Sequence, residues 1–232
     1  MRVGISQPNF IPWRGYFDLI DDVDLFIFYH DVQYTHKDWR NRNRIKTRNG
    51  LLWLSVPVLH DSSTLICDAR IDYQGRWIDK HIRSLTVAYS KAPFFRRYAP
   101  EFFALLESRF STISELNVNV CMWVMQKLNI KTETRLSSEF KISGDKFERP
   151  LKILKLIDAT TFLVGPTAKG YTDSEKFKEA GIALEFKTYE YKEYPQLYGN
   201  FEPYVSALDL LFNCGDDSRL HLKSRLANEK VG

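Results

Sequence analysis

Residues 36–50 read HKDWRNRNRIKTRNG, and Arg40, Arg42, Arg44, Lys46 and Arg48 alternate there at a period of two. In a β-strand that period puts all five cations on one face. Asn49-Gly50 follows, the signal of a two-residue type I′ hairpin turn. Such a turn sets Arg48 opposite Leu51, Lys46 opposite Trp53, Arg44 opposite Ser55 and Arg42 opposite Pro57. The other face places Asn43, Ile45 and Thr47 against Leu52, Leu54, Val56 and Val58, an ordinary core face. The expectation is a hairpin whose cationic ribbon carries Trp53, with Trp39 just ahead of it. Arginine suits such a ribbon to phosphate, because its planar fork binds two oxygens at once. The same charges can also serve only to keep a sheet edge from pairing.

The charge is local. The chain has 232 residues with 33 Lys and Arg against 29 Asp and Glu, a net +4. Residues 37–48 hold six of the bases and one acid, leaving 27 bases and 28 acids elsewhere. One anion site fits this better than a surface that coats nucleic acid. Cys67, Cys121 and Cys214 are far apart, and no metal-ligand spacing occurs, so neither a disulfide framework nor a metal is expected. The start, MRVGISQPNF, lacks a signal peptide's apolar core, and no apolar run approaches the roughly 18 residues of a membrane span. A cytoplasmic protein is expected.

The pattern predicts an α/β fold: a mixed, mainly parallel sheet with a β-hairpin and an all-helical insertion. A strand over residues 1–6, a short helix ending near Asp22 and an apolar strand over 24–29 make a βαβ unit. With the basic hairpin this accounts for residues 1–75. Residues 76–148 read as the insertion: an amphipathic helix over 76–90, another opening at Pro100, a third over 113–129, then a polar surface connection over 131–148. Residues 149–216 read as a second βαβ-like unit and a C-terminal helix, with capping boxes at Thr172/Glu175 and Ser206/Asp209. The polar tail over 217–232 is expected to fray. All of this reads as one domain over residues 1–232.

Four segments together resemble the WbqC-like protein family: QPNFIPWRGYFDLI, then HDVQYTHKDWRNRNRIK with WLSVPV, then WIDKHIRSLTVAYSKAPFF, and last YPQLYGNFEPYVSALDLLFNCG. They span most of the chain in the family's order. The resemblance implies a role in surface-polysaccharide (O-antigen-like) biosynthesis, transferring glycine or another acyl group onto an amino sugar. His36 stands where family members often carry Lys or Arg. Glu193-Tyr194-Pro195 stands where they often carry His-Pro. Both departures bear on donor and acceptor. The Trp13-x-Gly15-Tyr16 loop also resembles in position the H-x-G-H loop of nucleotidyltransferase-like folds. Its two histidines are replaced, so it informs fold rather than chemistry.

Gln7, Asn9 and Trp13 follow the first strand, at the edge where open α/β sheets bind ligands. Asp31, Gln33 and Tyr34 follow the second. An aspartate there can deprotonate an attacking amine. His81 lies in the apolar stripe of its helix and matches the family's W-x-x-x-H pattern. It is either an inert core histidine or an acid–base under the hairpin. Arg40, Arg42, Asn43, Arg44 and Lys46, with Trp39 and Trp53, form the expected phosphate clamp. Tyr194, Gln196 and Asn213 of the last motif can line a sugar pocket. The loop Gly165–Tyr171 follows a strand and can hold a second anion, although it lacks Walker spacing. Cys214 serves as a nucleophile only with a lowered pKa.

The expected function is acyl or aminoacyl transfer to an amino sugar, with Asp31 or His81 taking the amine proton and no metal. The alternatives are a nucleotidyltransferase-like enzyme and a non-enzymatic module that binds RNA or a carrier. A phosphorylated small molecule, a nucleotide sugar or an acyl donor, is the expected partner. tRNA and acyl carrier protein fit the same basic face. No cofactor is indicated.

Overall fold

The computed structural model describes residues 1–170 and 172–231. The chain runs β1 (Arg2–Ser6), α1 (Arg14–Asp21), β2 (Leu25–Phe28), β3 (Arg42–Thr47), β4 (Gly50–Ser55), β5 (Val58–Leu59) and β6 (Arg70–Ile71). Three helices follow, α2 (Trp77–Tyr89), α3 (Phe95–Glu107) and α4 (Ile113–Lys127). The chain then makes β7 (Glu133–Leu136), α5 (Glu148–Leu156), β8 (Thr161–Val164), α6 (Ser174–Glu179), β9 (Ala183–Phe186), α7 (Ala207–Cys214) and β10 (Glu229–Lys230). The sheet order is β10-β9-β8-β1-β2-β7, parallel except for β10. This is the expected α/β class, a mainly parallel sheet with a separate hairpin and a helical stretch.

Parallel strands covered on both faces need near-continuous apolar sequence, and β2 shows why. Phe26 and Phe28 pack on one side with Phe17 and Ile20 of α1 and Leu211 of α7. Leu25 and Ile27 pack on the other with Ile153 of α5, Phe162 and Phe177. The larger core holds α1, the hairpin's inner face, α2–α4 and α7.

Five expectations are corrected. Residues 131–148 are not only a surface connection, for β7 lies there and pairs in parallel with β2 from Leu25↔Glu133 to Phe28↔Leu136. Its sequence, ETRL, is mostly polar because β7 forms the sheet edge and is half-exposed. The described part of the tail, to residue 231, does not simply fray: it holds a 3-10 turn over Gly215–His221 and then β10, antiparallel to β9. Pro100 sits inside α3 rather than at its first turn. The Thr172/Glu175 capping box does not form; α6 starts after Asp173 with no side-chain cap. Ser206 does cap α7, its Oγ accepting from Leu208 N at 3.2 Å, whereas Asp209 is wholly buried and accepts from Tyr89 Oη at 2.8 Å.

The hairpin slips by two residues from its expected register. Arg42 pairs with Ser55, Arg44 with Trp53, Lys46 with Leu51 and Thr47 with Gly50, so the turn is Arg48-Asn49. Of the turn residues only Gly50 has a positive φ, +101°. A type I′ turn needs two such residues. A slip of two leaves the faces unchanged, because side chains alternate with period two. Ile45 and Leu54 are therefore buried as expected. Gly50→Ala is predicted to destabilise the protein by about 1–2 kcal/mol, because alanine is strained at that φ. Urea unfolding checks this, and an unchanged midpoint contradicts it.

Candidate functional site

Counted from β1, the parallel strands run in the order 3-2-1-4-5, with β2 and β7 on one side and β8 and β9 on the other. The loops leaving β1 and β8 diverge, and open α/β sheets bind ligands in the crevice this creates. Gln7 lies there, half-buried, and its side-chain amide has no partner among the described residues. Tyr16 Oη donates to the Gln7 carbonyl at 3.0 Å. Trp13 lies across Gly15, where a Cβ would fall 2.3 Å from the indole, so this position admits no side chain. The Trp13 ring meets Tyr189 at 4.9 Å and Tyr204 at 5.3 Å. Tyr189 extends back to Gly165 at the end of β8, 3.8 Å from where a Cβ there would sit. These rings wall the crevice.

The basic hairpin stands beside this wall. Asn43 is buried, and its Nδ2 donates to the carbonyls of Phe10 (3.2 Å) and Ile11 (3.0 Å) in the loop leaving β1. Ser206 N donates to Arg44 O at 2.9 Å, and Ser206 bridges to Trp13 on its other side. The five expected cations then part company. Arg40 is held by Asp38, Thr35 and, at 3.4 Å, Asn9 Oδ1. Lys46 is buried, and its Nζ donates to Gln196 Oε1 (3.1 Å) and Asn200 O (2.5 Å). Arg48 is exposed in the turn. Only Arg42 and Arg44 remain on the open face, and among the described residues neither has a carboxylate within 4.0 Å. Arg42 lies 4.4 Å over Trp53, and Arg44 lies 5.5 Å from Trp53 and 5.8 Å from Trp39. The two indoles are 5.6 Å apart and each is 42% exposed. Arg44 Nη2 also donates to Tyr204 O at 3.4 Å, but no carboxylate neutralises either guanidinium, and the two indoles beside them are left in water.

The other expected site residues are placed differently. Asp31 accepts from Ser137 Oγ and Arg149 Nη2, and Arg149 Nη1 also donates to its carbonyl at 2.9 Å. Gln33 is exposed and donates to Ser62 O at 2.6 Å. Tyr34 is buried with an unpartnered hydroxyl, and burial pushes its pKa up to about 12. Tyr194, Gln196 and Asn213 do not line an open pocket. Gln196 Nε2 donates to Tyr194 Oη (3.0 Å) and Glu202 O (3.0 Å), and Asn213 Nδ2 donates to Asp209 O (2.7 Å). Tyr194 and Asn213 are buried. The Gly165 loop folds as a 3-10 turn over Pro166–Gly170, and its Lys169 pairs with Glu229. Tyr171, at its end, lies outside the described residues. Burial pushes the Cys214 thiol up to about 11, which removes it as a thiolate at neutral pH.

Sequence reasoning missed Tyr189 and Tyr204 on the crevice wall and Ser114, Ser137, Ser138 and Arg149 around the end of β2. Tyr189 belongs to an aromatic tract, KTYEYKEY, and Tyr204 to the stretch FEPYVSA before α7, and neither stretch has a pattern that reveals which way its ring faces. The serines lie at least 84 residues from His30 and Arg149 lies 118 residues from Asp31, and nothing local marks them. Among the described residues no cluster of three or more His, Cys, Asp or Glu could hold a metal, and no helix is long and apolar enough to cross a membrane. Two surface hollows, one around Leu184 and Val231 and one around Tyr73 and Arg109, lie away from the crevice and gather none of these groups.

His81 is buried between Phe10 (5.9 Å) and Trp77 (5.1 Å), and its Nδ1 has no partner. Burial lowers its pKa to about 4, against an opposing hydrogen bond with the Ser55 backbone. The unfolded chain binds a proton near pH 6.5 that the folded chain refuses until about pH 4. Stability from this group is therefore full above about 6.5 and declines as pH falls towards 4. Between about pH 7 and about pH 5 the loss is about 2 kcal/mol. His81→Gln is predicted to remove that part of the pH slope in urea unfolding; an unchanged slope contradicts a buried neutral imidazole.

The chain is 41% identical over 229 residues to the uncharacterized protein Rv1507c of Mycobacterium tuberculosis, covering 96% of this chain and 97% of that one. No solved structure matches. A model of the WbqC-like protein family matches residues 7–221, from Gln7 at the crevice to the end of the 3-10 turn after α7. With both crevice and hairpin inside that match, the chain belongs to the WbqC-like protein family.

Proposed function

We infer that the protein holds a nucleotide-linked amino sugar by its phosphates and transfers an acyl or aminoacyl group to the sugar's amine, a reaction of surface-polysaccharide assembly. The observation that carries the binding half is the pair Arg42 and Arg44, without carboxylate partners and flanked by exposed Trp39 and Trp53. Guanidinium groups suit a diphosphate, and an indole face suits a base or sugar ring. Gln7 and Asn9 at the crevice supply polar groups that can orient the sugar. The acyl-transfer half rests on the resemblance to the WbqC-like family. Attack on an acyl carbonyl requires that the amine lose a proton. Geometry does not favour the two bases expected for this. Asp31 is occupied by Arg149 and Ser137, and His81 is enclosed in apolar core.

Calorimetry with UDP-, GDP- and dTDP-linked amino sugars tests the binding half. At least one should bind with a shallow salt dependence, as expected for one or two phosphates. Arg42→Ala/Arg44→Ala should weaken it at least about tenfold, since each charge-assisted hydrogen bond lost contributes about 1.5–3 kcal/mol. Equal affinity in wild type and double variant removes the clamp. Steep salt dependence with tRNA alone favours the RNA-binding alternative.

A further inference from the structure

The carboxyl end of β2 meets the carboxyl end of β7, and their exits bring together side chains with no role so far. His30 is buried, its Nε2 lying 2.8 Å from Ser138 Oγ and its Nδ1 2.9 Å from Ser114 Oγ. Ser138 is exposed, in the 3-10 turn over Ser137–Phe140. Ser114 is buried in the first turn of α4. The neighbours fix this arrangement. His30 N donates to Ser137 Oγ at 3.2 Å, Ser137 donates on to Asp31, and Arg149 clamps Asp31 from the far side. Backbone, imidazole and hydroxyl are therefore held in one frame, the condition for an activated nucleophile.

We propose that Ser138 is the acyl-accepting nucleophile of this protein, with His30 as its general base and Ser114 positioning the imidazole. This rests on the acyl-transfer reading above and supplies the base that reading lacks. With Nδ1–H donated to Ser114, Nε2 has a lone pair for the Ser138 hydroxyl. Burial lowers the His30 pKa, so the ring is neutral and able to accept a proton near pH 7. Ser138 Oγ attacks the carbonyl of an acyl thioester or ester while its proton passes to His30 Nε2. The C–S or C–O bond of the donor breaks, and the leaving thiolate or alkoxide takes that proton. The sugar amine then attacks the seryl ester and gives its proton to His30 Nε2. The ester bond breaks, and the proton returns to Ser138 Oγ. Asn117, one turn beyond Ser114 on α4, donates to Arg40 O (2.7 Å) and Pro8 O (3.0 Å). One helix thus joins this serine to the crevice and the hairpin.

A fluorophosphonate probe tests the proposal without any substrate, because the serine oxygen attacks phosphorus and fluoride leaves. Peptide mapping should place a single adduct on Ser138, absent in Ser138→Ala. His30→Gln, which keeps a polar side chain in the buried position, should slow labelling about a hundredfold. Ser114→Ala should slow it, and Ser114→Thr should restore it. Labelling needs no phosphorylated ligand, so a failure here is distinct from a failure of phosphate binding, which the calorimetry reads. No adduct on Ser138, or wild-type labelling in a folded His30→Gln, overturns the proposal.

Discussion

One buried amide ties the hairpin to the sheet. Asn43 donates to two carbonyls of the loop leaving β1, and with both protons used it holds β3 against the central strand. Asn41 closes the base of the hairpin itself, donating to Val56 O at 2.9 Å, and Asn117 of α4 donates to Arg40 O just ahead of β3 and to Pro8 O in the loop leaving β1. A buried polar group left unpaired costs about 1–3 kcal/mol, so the Asn43 and Asn117 bonds strongly favour one docking position. That position sets the open face of β3 beside the switch-point crevice.

Most of the chain's interior charge is spent on such fixing. Asp18 is wholly buried in α1 and accepts from Lys187 Nζ (3.0 Å), Tyr191 Oη (2.9 Å) and Ser224 N (3.0 Å), which ties the C-terminal segment to the first helix. Buried Arg14 donates to Lys192 O (2.9 Å) and His221 O (3.1 Å) and lies 4.4 Å over Tyr191. Against that background Arg42 and Arg44 stand apart. Their neighbours on the ribbon are committed, Arg40 to Asp38 and Lys46 to the 196–200 loop, whereas these two have no carboxylate, Arg42 lying over an indole and Arg44 beside two indoles and the Tyr204 carbonyl. Cation–π contact holds the guanidinium planes without neutralising them, so they stay available to an anion.

Much of this was legible before the structure. The period of two in β3 survived a register slip of two, because parity, not register, decides which face a side chain takes. Gly50 marked the turn correctly but entered it one position later than a type I′ turn requires. Alternation could not reveal that Lys46 is long enough to leave the ribbon and reach Gln196. Nor could it show that Tyr194, Gln196 and Asn213 turn inward around Asp209. Those outcomes depend on contacts between segments more than 100 residues apart, and neither period nor composition records them. β7 was hidden for a related reason. An edge strand with polar residues on a half-exposed face has no apolar alternation to read.

The central claim is that the Trp39–Arg44–Trp53–Arg42 face takes a phosphorylated ligand, and its most direct measurement is tryptophan emission during titration with a UDP-linked amino sugar. The account predicts a saturable change in emission as the ligand displaces water from the two exposed indoles. That change should disappear in Trp39→Phe/Trp53→Phe while Trp13, Trp77 and Trp123 remain. An emission response unchanged in that double variant, or none in wild type up to millimolar ligand, would contradict it.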